Sequence, residues 1–417
     1  MIRRLACSRL SQSPRANSNW SSRRMVSDFA GIGGCGNDCL AAGFIQTMMA
    51  PQAMNASVAD LIRAEIAKNQ IISFARFMEL ALYAPGVGFY EQHGRVGRCG
   101  DFYTSVSVGR VFGELLGFQF AEWLEKFQGD CILEGGAHDG QLAADILSYL
   151  QIWRPDLAGR LNYILLEPSV VRRGWQEDTL RDFEKIQWKS EWREVKKQSI
   201  RGVIFGNELL DAFPVHRLGW DKEEGRWFEW GVVAGEAAFA WARMETPGLK
   251  ALRNETFQVP SALRECLPDG FVTVSCPMAA NWWQDAADRL GQGRLLAFDY
   301  GLEAEEFFLP DREGGTLRAY SGQRASADLL ACPGGQDLTA SVNFTVIRAM
   351  GELAGLASRP FVSQEKFLMR VFEQTLKQPE KFPKWTEERR HQFQTLVHPE
   401  HLGRPFQVFE QIRGQLD

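Results

Sequence analysis

Helical periodicity becomes persistent from Ser57 onward. In VADLIRAEIAKN, Val58, Leu61, Ile62 and Ile66 recur on one face, and Ser57 stands where it can cap the first turn. A second helical run, SFARFMELALY, stops at Tyr83, just before Pro85 and Gly86. Residues 84–108 are rich in glycine and aromatics and read as a long loop, a feature that in compact domains often carries function. VGRVFGELLGFQFAEWLEKF (108–127) reads as a helix with a buried face.

Beyond it the pattern alternates. DCILEGG (130–136) is a short apolar run ending in glycines, followed by the helical GQLAADILSYLQIW (140–153). LNYILLE (161–167) predicts another strand, with a helix at 170–183 after it. GVIFGNELLDAFP (202–214) and GRLLAFDYG (293–301) supply what we number strands four and five, and the whole predicts an α/β fold with a doubly wound, mostly parallel sheet. Roughly eighty residues separate these two strands and open on a hairpin-like RWFEWGVVAGEAAFAWARM (226–244), an insertion expected over the carboxyl edge of the sheet. The mixed-charge helical stretch 372–395 is expected to be a solvated surface. The chain thus divides into an extension (1–56), an N-terminal helical and loop cover (57–127), the first part of the core (128–225), the insertion (226–292), and the second part of the core with C-terminal helices (293–417).

Composition narrows the partners. The 417 residues carry 47 Lys and Arg against 52 Asp and Glu, a net charge of −5. Six of the arginines precede the first acid, Asp28, so the chain from there on carries −11, a poor match for a phosphate backbone. No nucleic-acid partner is expected, and with no run approaching 18 apolar residues, no membrane insertion. The eight cysteines are mostly single; Cys35 and Cys39 lack further ligands, and His398 and His401 are separated by Pro399, so no metal site is expected. Residues 1–27 are rich in Arg and Ser without an acid, which suits either an upstream extension on a cytoplasmic protein or a transit peptide leading to the mitochondrial matrix.

The candidate chemistry starts at LEGGAHDGQLAADIL (133–147). A strand running into glycines and then a helix N-terminus presents bare backbone N–H groups to a cofactor. Twenty-seven residues past Gly140, Glu167 ends the next strand, where an acid can accept ribose hydroxyls. This pair fits a dinucleotide or S-adenosylmethionine. Glu134 would repel a diphosphate and favour a cofactor bearing an ammonium, and the loop Glu134-x-Gly136-x-His138-x-Gly140 lacks the full glycine pattern of a nicotinamide site, so S-adenosylmethionine is preferred.

In their order, FMELALYAPGVGFY, GDFYTSVSVGRVFGELLG, LEGGAHDGQLAADIL, YILLEPS, GVIFGNELLDAFPVHR, DYG, GTLRAY, DLTASVNF and SQEKFL resemble the MidA family. These are class I S-adenosylmethionine-dependent methyltransferases, and they include the mitochondrial complex I assembly factors that dimethylate arginine symmetrically. The resemblance spans roughly residues 57–413. It implies a Rossmann-like methyltransferase core, cofactor binding by Glu134, Gly136, Gly140 and Glu167, and a GDFYTS segment folded over the cofactor with Gly100, Asp101, Phe102 and Thr104. It also implies that NELLDAFPV lines the reaction centre. The chain departs from the family at His138, which replaces a glycine, at SVSVGR in place of Ser-Pro-Glu, and at Gln323 in place of histidine.

The implied acceptor is an arginine of a protein substrate. A guanidinium is not deprotonated in advance by any side chain, but carboxylates can hold its planar fork and stabilise the methylated cation. Glu208 and Asp211, three apart at the end of strand four, could converge on such a group, with Asn207 beside them to orient it. A homodimer is compatible with this reading. The alternative is a non-catalytic assembly factor that keeps a degenerate cofactor pocket.

Overall fold

The computed structural model describes residues 56–92, 104–244, 265–322, 324–400 and 402–415. Its centre is a twisted sheet in the order β15–β17–β10–β5–β2–β3–β4. The strands are β2 (Cys131–Gly135), β3 (Asn162–Leu166), β4 (Ile186–Lys189), β5 (Ile200–Asn207), β10 (Leu290–Leu302), β15 (Ala357–Ser358) and β17 (Phe406–Arg413). β10, β5, β2, β3 and β4 are mutually parallel, and β17 runs antiparallel against β10. The chain builds outward from β2 through β3 to β4, then returns to β5 on the opposite side. The order therefore reverses between β2 and β5, and a crevice opens at their carboxyl ends.

Successive side chains of these strands feed two different layers, as a period of two requires. Ile132, Leu165, Phe205 and Phe298 enter one core, packed by helices α3 (Val111–Phe127), α4 (Gln141–Trp153), α8 (Gln364–Lys377) and α9 (Glu387–Val397). Leu133, Ile164, Ile204 and Ala297 enter the other, packed by α6 (Pro277–Arg289) and α7 (Phe344–Leu353). Helix α5 (Val170–Thr179) follows β3 and is capped by Ser169, which accepts from the Arg172 N–H.

A second lobe combines regions that the sequence reading kept apart. Helices α1 (Val58–Asn69) and α2 (Phe74–Tyr83), each capped by a serine, pack with an antiparallel sheet in the order β1–β7–β6–β9, with β8 on β7. Its strands are β1 (Ile72–Ser73), β6 (His216–Asp221), β7 (Arg226–Ala234), β8 (Phe239–Met244) and β9 (Val272–Ser275). β1 is the link: Ile72 and Ser73 pair with Val232 and Gly231. Phe74, Phe77, Met78 and Val232 then share one apolar core with Leu338 of β13 (Asp337–Thr339). β13 joins β11 (Arg318–Ser321) and β12 (Arg324–Ser326) in a small sheet, while β14 (Val342–Asn343) and β16 (Val362–Ser363) extend the main one.

Three boundaries differ from the sequence reading. The antiparallel lobe begins at His216 rather than at 226, because β6 is the centre of its sheet and pairs with both β7 and β9. The stretch 277–289 is not insertion: α6 returns to the main sheet and buries Trp283 against Phe409. Residues 372–395 are not one solvated helix. α8 ends at Lys377, and α9 buries Phe393 and Leu396 while Arg389 grips both oxygens of Glu114 on α3.

Candidate active site

The crevice at the carboxyl ends of β2, β3 and β5 holds a cavity of about 860 Å³, closed from the other side by the second lobe. Thr104, Glu134, Gly136, Glu167, Asn207, Glu208 and Asp211 all line it. Gly100, Asp101 and Phe102 lie outside the described residues.

The β2–α4 loop alternates in sign of φ, with Gly136 at +71°, His138 at +48° and Gly140 at +84°. Gly136 is favoured by its left-handed backbone, and a β-carbon there would also stand 2.6 Å from Cδ1 of Leu209, whose side chain would have to shift. Gly140 does not face the cavity; it starts α4 and donates its N–H to the Ala137 carbonyl at 2.7 Å. His138, where the resemblance implies a glycine, has a left-handed backbone. Its ring lies 5.7 Å from that of Trp175 on α5, with Nε2 buried and without a partner.

Glu134 is buried, and the Tyr163 hydroxyl donates to its Oε2 at 2.6 Å. Burial pushes this carboxyl up to about 7 against the opposing effect of that hydrogen bond. Glu167, 1% exposed, is heavily engaged. Its Oε1 accepts from Ser169 N–H at 2.9 Å and from Nε and Nη2 of Arg172 at 3.1 and 2.8 Å, while Oε2 accepts from Gln176 at 3.1 Å. A ribose hydroxyl would thus meet Oε2, which has the remaining acceptor capacity.

Strand β5 delivers the second group. Past Asn207 the chain turns sharply, Glu208 adopting φ +50° while its N–H donates to the Phe298 carbonyl of β10. Asp299, fully buried, accepts the N–H groups of Leu209, Leu210 and Tyr300 at 3.2, 2.8 and 2.9 Å and so shapes the turn. Oε1 of Glu208 accepts from Ser105 N–H at 3.0 Å and Asn207 Nδ2 at 3.3 Å; its Oε2, and Oδ1 of Asn207, are buried without a partner. Burial, and next to it the charge of Asp299, raises the Glu208 carboxyl to about 8. Asp211 is raised well above the usual carboxylate range by burial and by Asp299, whose carboxyl it contacts. Of the two, Asp211 is pushed further up, because Asp299 is the one held by N–H donors. Glu208 and Asp211 therefore share the cavity wall but differ in their surroundings, and the unpartnered oxygen belongs to Glu208. His216 pairs with Glu229 at 2.6 Å in the antiparallel lobe.

Several wall residues carried no signal in the sequence reading. Tyr90 reaches in from the cover and donates its hydroxyl to Asp337 at 2.8 Å, and Glu91 beside it binds Arg172 at 2.8 Å. Ser190, Glu191 and Trp192 follow β4, a strand whose short, polar-interrupted sequence has no apolar run to mark it. Thr104 and Ser107 cross-bond, with the Thr104 N–H on Ser107 Oγ at 3.0 Å, and so hold the edge of the cavity next to Glu208.

These residues fit S-adenosylmethionine. Gly136 leaves a bare-backbone cradle at the end of β2, and Glu167 stands at the end of β3. The acidic wall suits a cofactor with a sulfonium and an ammonium, and opposes a diphosphate.

Comparison with known proteins agrees with this geometry. A family model described as an S-adenosyl-L-methionine-dependent methyltransferase matches residues 115–362, more than half of the chain. The chain is similar to the protein arginine methyltransferase NDUFAF7 homolog, mitochondrial, of Drosophila melanogaster, at 27% identity over 399 residues and 86% of each chain. It is also similar to the NDUFAF7 protein arginine methyltransferase, mitochondrial, of Mus musculus, at 29% identity over 71% of this chain and 70% of that one. A solved COG1565 superfamily member from Burkholderia thailandensis, bound to S-adenosyl-homocysteine, superimposes with a TM-score of 0.72 at 28% identity, covering 86% of this chain and 92% of that one.

Proposed function

The chain belongs to this S-adenosyl-L-methionine-dependent methyltransferase family, and from that premise we propose that the methyl acceptor is an arginine side chain of a protein. The carrying observation is the excess of carboxyl groups over cations in the cavity wall, several of them protonated in the empty site and able to ionise against an entering cation. Its acids include Glu79, Glu134, Asp139, Glu208, Asp211 and Asp337, whereas among the described lining residues the one guanidinium or ammonium is Arg172, already spent on Glu167 and Glu91. A cavity with that imbalance recruits cations. The names of the Drosophila and mouse relatives supply the same acceptor.

The cofactor, when bound, supplies an electrophilic sulfonium methyl. Glu134, Gly136, Glu167 and Thr104, with Gly100, Asp101 and Phe102, are the residues assigned to holding it, while Gly140 acts at one remove by starting α4 behind the loop. Glu208 is assigned to the acceptor. At neutral pH its raised carboxyl is largely protonated in the empty site, and an entering guanidinium displaces that proton and takes both the charge and the open Oε2. Asn207 holds the other oxygen and fixes the carboxylate plane. Asp211 stays protonated toward Asp299 and keeps the turn 208–212 in place, a positioning task. The relatives' names also favour the mitochondrial address for this chain over the cytoplasmic one.

Methylation of an arginine-containing peptide library, read by mass spectrometry with labelled S-adenosylmethionine, tests this. Label on arginine that Glu208→Gln lowers by about two orders of magnitude, with S-adenosyl-homocysteine affinity kept within a few-fold, is the expected outcome. Label on lysine or a carboxylate, or full turnover in Glu208→Gln, would overturn the assignment.

A further inference from the structure

Arg172 lies in the first turn of α5 and joins two lobes. Nε and Nη2 hold Oε1 of Glu167, at the end of β3, while Nη1 holds Oε1 of Glu91, in the turn that follows α2. Its guanidinium carbon sits 5.8 Å from the ring centre of Tyr83, which in turn stacks on Tyr90. All three charged side chains are buried, and all three border the cavity. Two adjacent residues of the cover thus reach opposite walls: Tyr90 bonds Asp337 of β13, and Glu91 bonds the arginine that grips Glu167. Buried ion pairs are poor devices for stability alone, because desolvation offsets their attraction. This one spends two contacts of a planar fork on one carboxylate at the cavity edge and the third on the cover, and a fork is suited to setting orientation.

We propose that Arg172 is a positioning residue for cofactor binding: it locks Glu167 with Oε2 outside its grip, and through Glu91 it makes cofactor affinity depend on the seating of the N-terminal cover. The proposal rests on the reading that Glu167 takes the ribose hydroxyls. Arg172→Lys keeps the charge but cannot contact Glu167 twice and Glu91 at once. Glu91→Gln leaves the Arg172–Glu167 pair whole and removes only the charge that comes from the cover. By linkage, what loosens the cover's hold on Arg172 must weaken the ligand by the same factor that the ligand tightens the cover.

The test is calorimetric titration of S-adenosyl-homocysteine, and of its analogue lacking the ribose 2′-hydroxyl, into the full chain and its variants, with thermal unfolding of each ligand-free protein alongside. Arg172→Lys should weaken S-adenosyl-homocysteine roughly tenfold and Glu91→Gln several-fold, with both losses falling below about twofold for the deoxy analogue. Variants that unfold at a lower temperature yet bind S-adenosyl-homocysteine within twofold of the wild type would make Arg172 a structural bridge and overturn the proposal. Equal losses for both ligands would overturn it too. Glu167→Gln separates the two levels: if it alone loses binding, the ribose reading stands and this proposal fails, and if it binds normally, both fail. Should Arg172→Lys not fold, Glu91→Gln decides.

Discussion

Gly136 combines a positive φ with a β-carbon position 2.6 Å from Leu209, so any side chain there meets both backbone strain and a collision with the segment that carries Glu208. Gly136→Val should abolish S-adenosyl-homocysteine binding in calorimetry while far-UV circular dichroism stays native, because the strain and the displaced Leu209 both lie in the cavity wall. Protonation gives a second prediction. Glu134 and Glu208 are raised to about 7 and about 8, against roughly 4.3 for an unperturbed glutamate. Between those limits the folded state holds more protons than the unfolded one, so the stability these groups contribute is whole below the unfolded value and drains away as pH rises toward 8. Glu208→Gln, neutral at every pH, should leave Tm almost unchanged at pH 5 and raise it by several degrees at pH 8.5 in ligand-free protein.

At the scale of elements, β17 and α7 meet through a polar hub. Gln411 accepts the Trp283 indole N–H at 2.7 Å and donates to the Arg348 carbonyl and Ser358 Oγ, both at 2.9 Å, and a β-carbon on Gly351 would overlap its amide. Gly351→Ala should destabilise the fold by about 2 kcal/mol, since it leaves buried polar groups unsatisfied, yet should not alter S-adenosyl-homocysteine affinity in the folded fraction. Elements of this core were readable wherever apolar period and punctuation agreed. CILEG ran into glycines and NYILL lay between polar breaks, and both formed strands close to their expected limits. β4 was not readable, because four residues with one aliphatic side chain give no period. Nor was the break after α8, where Pro379 and Pro383 punctuate a run that charge alone made look continuous.

The whole molecule explains which parts of the site the sequence could show. Glu134, Glu167 and Glu208 were identifiable because each ends a strand at the carboxyl edge, and strand ends can be counted along a chain. Arg172, Tyr90, Glu91 and Asp337 were not, because their partners are chosen by how the second lobe folds over the first, at separations of 81 residues for Arg172 with Glu91 and 247 for Tyr90 with Asp337. The joining of cover and insertion into one lobe by the two-residue β1 was hidden for the same reason. The turn after β5 shows one further result of long-range pairing. Its N–H groups at Leu209 and Leu210 are received by Asp299, and that of Glu208 by Phe298, about ninety residues later in the chain. As the protein leaves the ribosome, the strands that form the cofactor crevice emerge first and can pair, while the 208–212 segment still lacks the acceptors at Phe298 and Asp299 that complete its turn. Only when β10 has slid in beside β5 is the turn that carries Glu208 fully bonded, so an unfinished chain can own the crevice before this part of its wall is set.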